Sequence, residues 1–234
     1  MRATSGEFLA EGPQAVREAL AVGAVLEVFA TPKFDAWQAS ADGSVWHTVD
    51  ETVVADIADA VTPQGIVARC RSVVQSLDDL PAQAHLVAVG VDVRDPGNAG
   101  SIVRAADAAG ADAVVFAGDS VDPLNPKAVR ATVGSLFHLP VIVERDTGAV
   151  VAALRERGAV VMAADGGGEA SLFDVDLDRP TAWLFGNEAR GLGRSAELAD
   201  LRVAIPIYGR AESLNLATAA AVCLYASARA QHVG

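Results

Sequence analysis

Six short apolar runs limit what this chain can fold into more than any other feature. Residues 85–92, 113–117, 141–144, 159–164, 181–185 and 202–205 are each of strand length. The first carries apolar side chains at odd and even positions alike. A half-exposed antiparallel strand alternates; a strand with no alternation is buried on both faces, as in a parallel sheet covered by helices. Helical segments at 98–110, 125–134 and 149–157 separate the runs, and turn residues such as Pro96-Gly97 mark the joints. The order predicts a doubly wound parallel sheet, in which ligands sit beyond the carboxyl ends of the strands.

The stretch that closes this series is the most distinctive. After the strand at 203–205 come Pro206, which lacks an amide donor, and Gly209, which tolerates positive φ. Ser213 or Asn215 then caps a helix of Ala, Leu and Val running to about residue 229. Between Thr218 and Tyr225 that helix has almost no polar residue, which predicts burial on most sides. A helix entrance with free N–H groups and a Gly-containing approach can hold a small ligand, although an ordinary strand–loop–helix joint reads the same way. Two further segments have similar character. Leu184-Phe185-Gly186-Asn187-Glu188-Ala189-Arg190-Gly191-Leu192 places two glycines around a carboxylate at a strand end. Asn98-Ala99-Gly100-Ser101-Ile102-Val103-Arg104 opens a helix. Gly97-Asn98-Ala99-Gly100 lacks the G-x-G-x-x-G spacing of a dinucleotide-binding turn, and 165–168 is not a P-loop because no Gly-Lys-Ser/Thr follows.

In order, the three segments closely resemble the three motifs of the SpoU/TrmH family of RNA 2′-O-methyltransferases in the SPOUT superfamily. The resemblance implies an α/β domain whose C-terminal segment is threaded into a trefoil knot, a topology outside the usual unknotted rule. It implies S-adenosylmethionine as cofactor, with Gly186, Ile205 and Leu214 presenting backbone groups to it and Leu184 as an apolar wall. It also implies a homodimer in which the catalytic Arg of one subunit completes the pocket of the other. Carried over by position, the catalytic set is Arg104, Asn98, Glu188, Ser213 and Asn215. An arginine is a poor proton acceptor, so Arg104 is expected to hold phosphate and stabilise a developing alkoxide. Each residue has a plainer reading. Arg104 could pair with Asp107 one turn on, Asn98 could cap its helix, and Glu188 could cap the 187–192 turn. The carboxylate could instead orient Arg104.

The first 76 residues alternate strand and helix candidates: strands at 7–10, 25–30, 46–49 and 65–70, helices at 13–21, 34–40 and 52–60. Phe8-Leu9-Ala10-Glu11-Gly12-Pro13 and Thr62-Pro63-Gln64-Gly65-Ile66-Val67-Ala68 resemble the ribosomal-protein-like substrate-binding domain found at the N-terminus of such enzymes. The expected organisation is an N-terminal RNA-binding α/β domain at 1–76, a polar linker at 77–84 and a methyltransferase domain at 85–234. That resemblance implies more residues before Gly6 than the five here.

With 51% apolar residues in 234, the chain can bury a full core. No apolar run is long enough to span a membrane and no secretory signal is evident, so a cytoplasmic protein is expected. Cys70 and Cys223 share no metal-like spacing, and the four histidines do not cluster with them, so no metal is expected. The net charge of −12 opposes long-range attraction to RNA. Residues 1–80 hold 12 acidic and 5 basic groups, which leaves 18 and 13 of the totals 30 and 18 for the remainder. Arg94, Arg104, Arg190, Arg194 and Arg210 lie in or beside the motifs and could form a local basic site. The expected reaction is methyl transfer to a ribose 2′-hydroxyl of 23S ribosomal RNA. Transfer RNA is the alternative substrate, and a catalytically silent RNA-binding or assembly protein is the alternative class.

Overall fold

The computed structural model describes residues 6–41 and 43–232. A four-stranded sheet comes first, built from β1 (Glu7–Glu11), β2 (Val25–Ala30), β3 (Val45–Thr48) and β4 (Ile66–Arg71) in the order β1-β4-β2-β3. Strand β4 pairs antiparallel with β1 and β2, while β2 and β3 run parallel. Helices α1 (Pro13–Ala21) and α2 (Glu51–Ile57) accompany this sheet. Helix α2 stops three residues earlier than expected because Ala58 is extended. The segment expected to be helical at 34–40 is a 3-10 helix, Pro32–Ser40.

The second sheet has eight strands, all parallel: β5 (Val74–Gln75), β6 (Leu86–Val91), β7 (Ala113–Ala117), β8 (Val141–Glu144), β9 (Val160–Ala164), β10 (Ala170–Ser171), β11 (Thr181–Phe185) and β12 (Leu201–Ala204). Their order is β10-β12-β9-β11-β6-β7-β8-β5. The six expected runs are all present, and β6, β7 and β11 are buried at every position, as strands covered on both faces must be. The two additional strands are edge pairings of two residues each. One of them, β5, lies within the span expected to belong to the N-terminal unit, yet it pairs with β8.

Helices α3 (Pro96–Ala108), α4 (Pro126–Thr132), α5 (Thr147–Glu156) and α6 (Leu216–His232) join and cover these strands. On one face Ile102 and Val103 of α3 and Cys223 and Leu224 of α6 pack over Trp183 and Phe185. On the other, Val150, Val151 and Leu154 of α5 pack with Val161, Leu184 and Ala196. Trp183 Nε1 donates to Ser227 Oγ at 2.9 Å, which accounts for a fully buried serine on α6. Burial pushes both thiols, Cys70 and Cys223, up to about 12, so both stay protonated at neutral pH.

Helix α6 corrects one expectation. It is buried along a single stripe of Ala220, Cys223, Leu224 and Ser227, while Thr218, Tyr225 and Arg229 are exposed. Among the described residues, nothing buries its Thr218, Tyr225 and Arg229 side. Among the described residues no helix is long and apolar enough to cross a membrane.

The two sheets share one apolar core. Phe8 of β1 stacks on Phe137 with ring centroids 6.1 Å apart. Arg130 of α4 reaches Glu11 at 3.2 Å and Asp59 at 2.9 Å. His138 lies between Asp107 (2.8 Å) and Glu18 of α1 (3.4 Å). Asp107 is therefore engaged by His138, not by Arg104.

Candidate active site

Three loops leave the carboxyl ends of neighbouring strands β9, β11 and β12 and meet the start of α3. Between them is a cleft of about 850 Å³, lined by Asp165 and Gly166 after β9, Gly186–Glu188 and Gly191 after β11, Ala204–Ile207 and Glu212–Leu216 after β12, and Asn98. This is where a parallel sheet is expected to hold a ligand.

The loop after β11 is shaped by Asn187 and Gly186. Asn187 and Gly191 exchange backbone hydrogen bonds at 2.9 and 2.8 Å, and Asn187 Oδ1 accepts from the N–H groups of Ala189 and Arg190. Its amide donates to the carbonyl of Asp92 at 2.9 Å, fixing the loop to the end of β6. A Cβ on Gly186 would overlap the backbone of Gly191 and Leu192, so only glycine fits this turn. The turn is thus closed by Asn187, which removes the plainer reading of Glu188 as its cap.

Glu188 points to α3. Its carboxylate accepts from Arg94 N–H at 3.3 Å, Asp95 N–H at 3.1 Å and Asn98 Nδ2 at 3.1 Å. Burial raises its pKa, but hydrogen bonds from its own N–H, Asn98, Asp95 and Arg94 outweigh that, so the carboxyl titrates below its ordinary range. Asn98 Oδ1 accepts from Asn215 Nδ2 at 3.1 Å. A polar chain Glu188–Asn98–Asn215 therefore links the three motif segments at the cleft rim.

Two caps are settled. Asp95 is the N-cap of α3, accepting from Asn98 N–H at 2.9 Å with Pro96 following at the first helical position, so Asn98 does not cap the helix. Lys127, 2.9 Å from Asp95, and then the Asn98 N–H hold the Asp95 carboxyl below the usual range. Asn215, not Ser213, caps α6: its Oδ1 accepts from Ala217 and Thr218 N–H at 2.9 and 3.3 Å.

Gly186, Ile205, Leu214 and Ser213 line the cleft, and the Ser213 hydroxyl has no partner among the described residues. Leu184 is fully buried in the core beneath the sheet's end and does not line the cleft. Arg104 lies on the exposed side of α3, away from the lining, and makes no hydrogen bond or ion pair among the described residues. Asp95, Asn187 and Asp165 were not singled out from sequence, although Asp-Pro at a helix start is a cap signal that points to Asp95. Among the described residues no three His, Cys, Asp or Glu side chains gather as metal ligands.

The model of the SpoU rRNA Methylase family matches residues 85–225, more than half of the chain. The chain belongs to this family. A second model, the MRM3-like substrate binding domain, matches residues 1–68. The 23S rRNA (guanosine(2553)-2′-O)-methyltransferase RlmP of Bacillus subtilis is 34% identical over 226 residues, covering 96% of this chain and 89% of that protein. The 23S rRNA (uridine(2479)-2′-O)-methyltransferase of Streptomyces viridochromogenes is 40% identical over 174 residues, 71% of this chain and 61% of that one. Among solved structures, the SpoU methyltransferase AviRb from Streptomyces viridochromogenes superposes with a TM-score of 0.90 at 31% identity, covering 100% of this chain and 93% of its own. The same protein in complex with AdoMet gives 0.89 at 31% identity, covering 100% of this chain and 94% of its own.

The SpoU cleft of this chain fits such a cofactor on its own chemistry. Among the described residues, the backbone from Ile205 to Leu214 makes no hydrogen bond with other backbone. Where this backbone lines the cleft, at Ile205–Ile207 and Glu212–Leu214, its N–H and C=O groups are open to a ligand. Ile205, Ile207 and Leu214 supply apolar surface beside those groups.

Proposed function

We propose that this chain transfers a methyl group from S-adenosylmethionine to a ribose 2′-hydroxyl of 23S ribosomal RNA in the cytoplasm. The observation that carries the reading is the cleft wall at 205–207 and 212–214, whose backbone groups have no backbone partners among the described residues, lining one cleft with Gly186 and Gly191 within a SpoU family chain. The names of the similar proteins from Bacillus subtilis and Streptomyces viridochromogenes support the substrate.

When bound, the cofactor's sulfonium supplies an electrophilic methyl group. What the protein adds is alignment and electrostatics. Gly186, Ile205 and Leu214 hold the donor by backbone contacts, with Leu184 supporting the wall from beneath. The Glu188–Asn98–Asn215 chain fixes the three loops relative to one another, and Ser213 offers its free hydroxyl to the substrate. Arg104 stabilises the oxygen as its proton leaves to water.

Arg104 cannot do this from its own chain's cleft, which it does not line. The exposed stripe of α6 lies beside α3, to which Tyr225 is tied by a 3.1 Å hydrogen bond to the Ala108 carbonyl. A homodimer through this face covers the α6 stripe and gives Arg104 a second cleft to enter. RNA phosphates meet the free arginines: Arg17, Arg69, Arg94, Arg130, Arg155, Arg179 and Arg202 are each held by a carboxylate. Among the described residues, arginines holding none include Arg190 and Arg210 in the loops that shape the cleft, Arg194 just after the first of them, and Arg104 on α3. An acidic chain can thus keep a local basic site. Residues 1–76, apart from β5, which pairs with β8, form the substrate-binding unit, 77–84 the connection and 85–234 the methyltransferase unit.

Calorimetry with S-adenosylmethionine and label transfer to unmodified 23S rRNA test this. Wild type binds and transfers; Arg104→Ala still binds and stops transferring. Absence of cofactor binding by wild type would end the proposal.

A further inference from the structure

A second cavity, of about 270 Å³, lies between the two sheets and plays no part in the chemistry above. We infer that it receives one unstacked nucleobase of the substrate RNA, an inference that rests on the RNA-methylating function proposed above. Its walls come from both units: Ala58 and Ala60 after α2, Gln64 before β4, and Arg130 and Val133 at the end of α4.

The floor is an ion cluster already satisfied. Glu11, nearly buried, accepts from the N–H groups of Asp59 and Ala60 and from Arg130, whose second nitrogen binds Asp59. One guanidinium against two carboxylates leaves the floor negative, which disfavours a phosphate or other anion. The Arg130 side chain lines the cavity and is about 30% exposed, however, and a planar guanidinium can stack on an aromatic ring.

The mouth is apolar and unusually held. Val133 has φ +52°, a left-handed conformation that β-branched residues rarely adopt, and it leaves its side chain 42% exposed at the cavity. Val61, next to the cavity, is fully exposed. The Gln64 amide and the Thr62 hydroxyl have no partner among the described residues. Small apolar walls, a guanidinium plane and a free amide are what an unstacked base needs: surface to stack on and a group to pair with its edge. The volume is near the lower end of the roughly 300–1,000 Å³ of small-ligand pockets, enough for one base and too small for a second cofactor.

Position supports an RNA occupant over a free small molecule. Helix α4 connects the cavity to the cleft. Lys127 at its start binds Asp95, the cap of the helix that carries Asn98, and Arg130 and Val133 at its end line the cavity. Lys127 and Val133 are about 9 Å apart at 1.5 Å per helical residue. A base held here would sit at one end of the helix whose other end is tied to the cap of α3, and would set the register of the strand.

The test uses the full chain with unmodified 23S rRNA. Gln64→Ala removes an exposed amide, and Ala60→Phe fills the cavity. Both should raise KM for RNA by at least about tenfold, keep kcat within about twofold and leave calorimetric S-adenosylmethionine affinity unchanged. If wild type methylates and Gln64→Ala and Ala60→Phe both keep its KM, the cavity inference is overturned while the enzymatic reading stands. If wild type transfers no methyl group to RNA, the enzymatic reading falls and takes the inference with it.

Discussion

Replacing Asn98 with Asp alters one atom group at the point where all three motif segments meet. The Nδ2 that donates to Glu188 Oε1 at 3.1 Å becomes an oxygen, so a hydrogen bond turns into a carboxylate pair. Two unit charges at that separation repel by about 1.3 kcal/mol at the dielectric of water and about 5 kcal/mol at an effective value near 20. Glu188 is exposed, so the low end applies, about 1–2 kcal/mol. Loss of the hydrogen bond adds about 1 kcal/mol, and a negative charge in the first turn of α3 returns about 0.5 kcal/mol through the helix dipole. The bond from Asn215 survives, because Asp still accepts there. The net cost is about 2 kcal/mol, or roughly 4–8 °C in Tm for a chain of this size.

The pH dependence separates repulsion from simple loss of the bond. In wild type the Glu188 carboxyl is depressed, so its contribution is in place above the unfolded value and is lost only as pH falls below about 4.5. In Asn98→Asp one carboxyl of the pair is raised, so the penalty is present at neutral pH and relieved as pH falls toward about 5. Asn98→Ala loses the bonds without adding charge, and its deficit should be flat over that interval. Urea unfolding of the three proteins between about pH 5 and 7.5 reads this directly, with kcat falling by about a hundredfold in both variants through loop misalignment. A deficit in Asn98→Asp that does not shrink on acidification would refute the geometry of the Glu188–Asn98 contact.

Two other predictions come from single residues. Gly186→Ala pushes a methyl group into the backbone of Gly191 and Leu192; the loop must move, and S-adenosylmethionine affinity measured by calorimetry should fall at least about tenfold. Unchanged affinity would show that the turn does not touch the cofactor. His138 is raised by its hydrogen bond to Asp107, against the cost of burial, with Glu18 adding to the effect. A raised histidine gives stability that is complete below its unfolded value near 6.5 and is lost as pH rises through the folded value. The stability gap between wild type and His138→Ala should therefore narrow on going from about pH 6 to pH 8, and a constant gap would remove His138 as a charged link between the two units.

The strands that place the site could be read because their residues are apolar on both faces. β5 and β10 could not, since two residues carry no period and their pairing partners are far away in sequence. The composition of α6 was read as burial on most sides, but composition does not say whether the cover comes from the same chain. Glu188, Asn98 and Asn215 were nameable only through family motifs. The contacts between them span 90 and 117 residues, and nothing local to any of them indicates the others. Asn187 and Glu188 are adjacent polar acceptors at one turn, and either could cap it. Only the fold decides which of them faces the turn's own N–H groups and which faces α3.

The position of the transferred methyl group separates a ribose methyltransferase from a base methyltransferase. A ribose 2′-hydroxyl is the group that attacks the neighbouring phosphate in alkali, so methylation there leaves an alkali-resistant linkage. Wild-type protein with labelled S-adenosylmethionine and unmodified 23S rRNA should place the label in an alkali-stable dinucleotide, and Arg104→Ala should place none. Label recovered on a base, or wild-type label confined to alkali-labile mononucleotides, would rule out methyl transfer to the ribose 2′-hydroxyl.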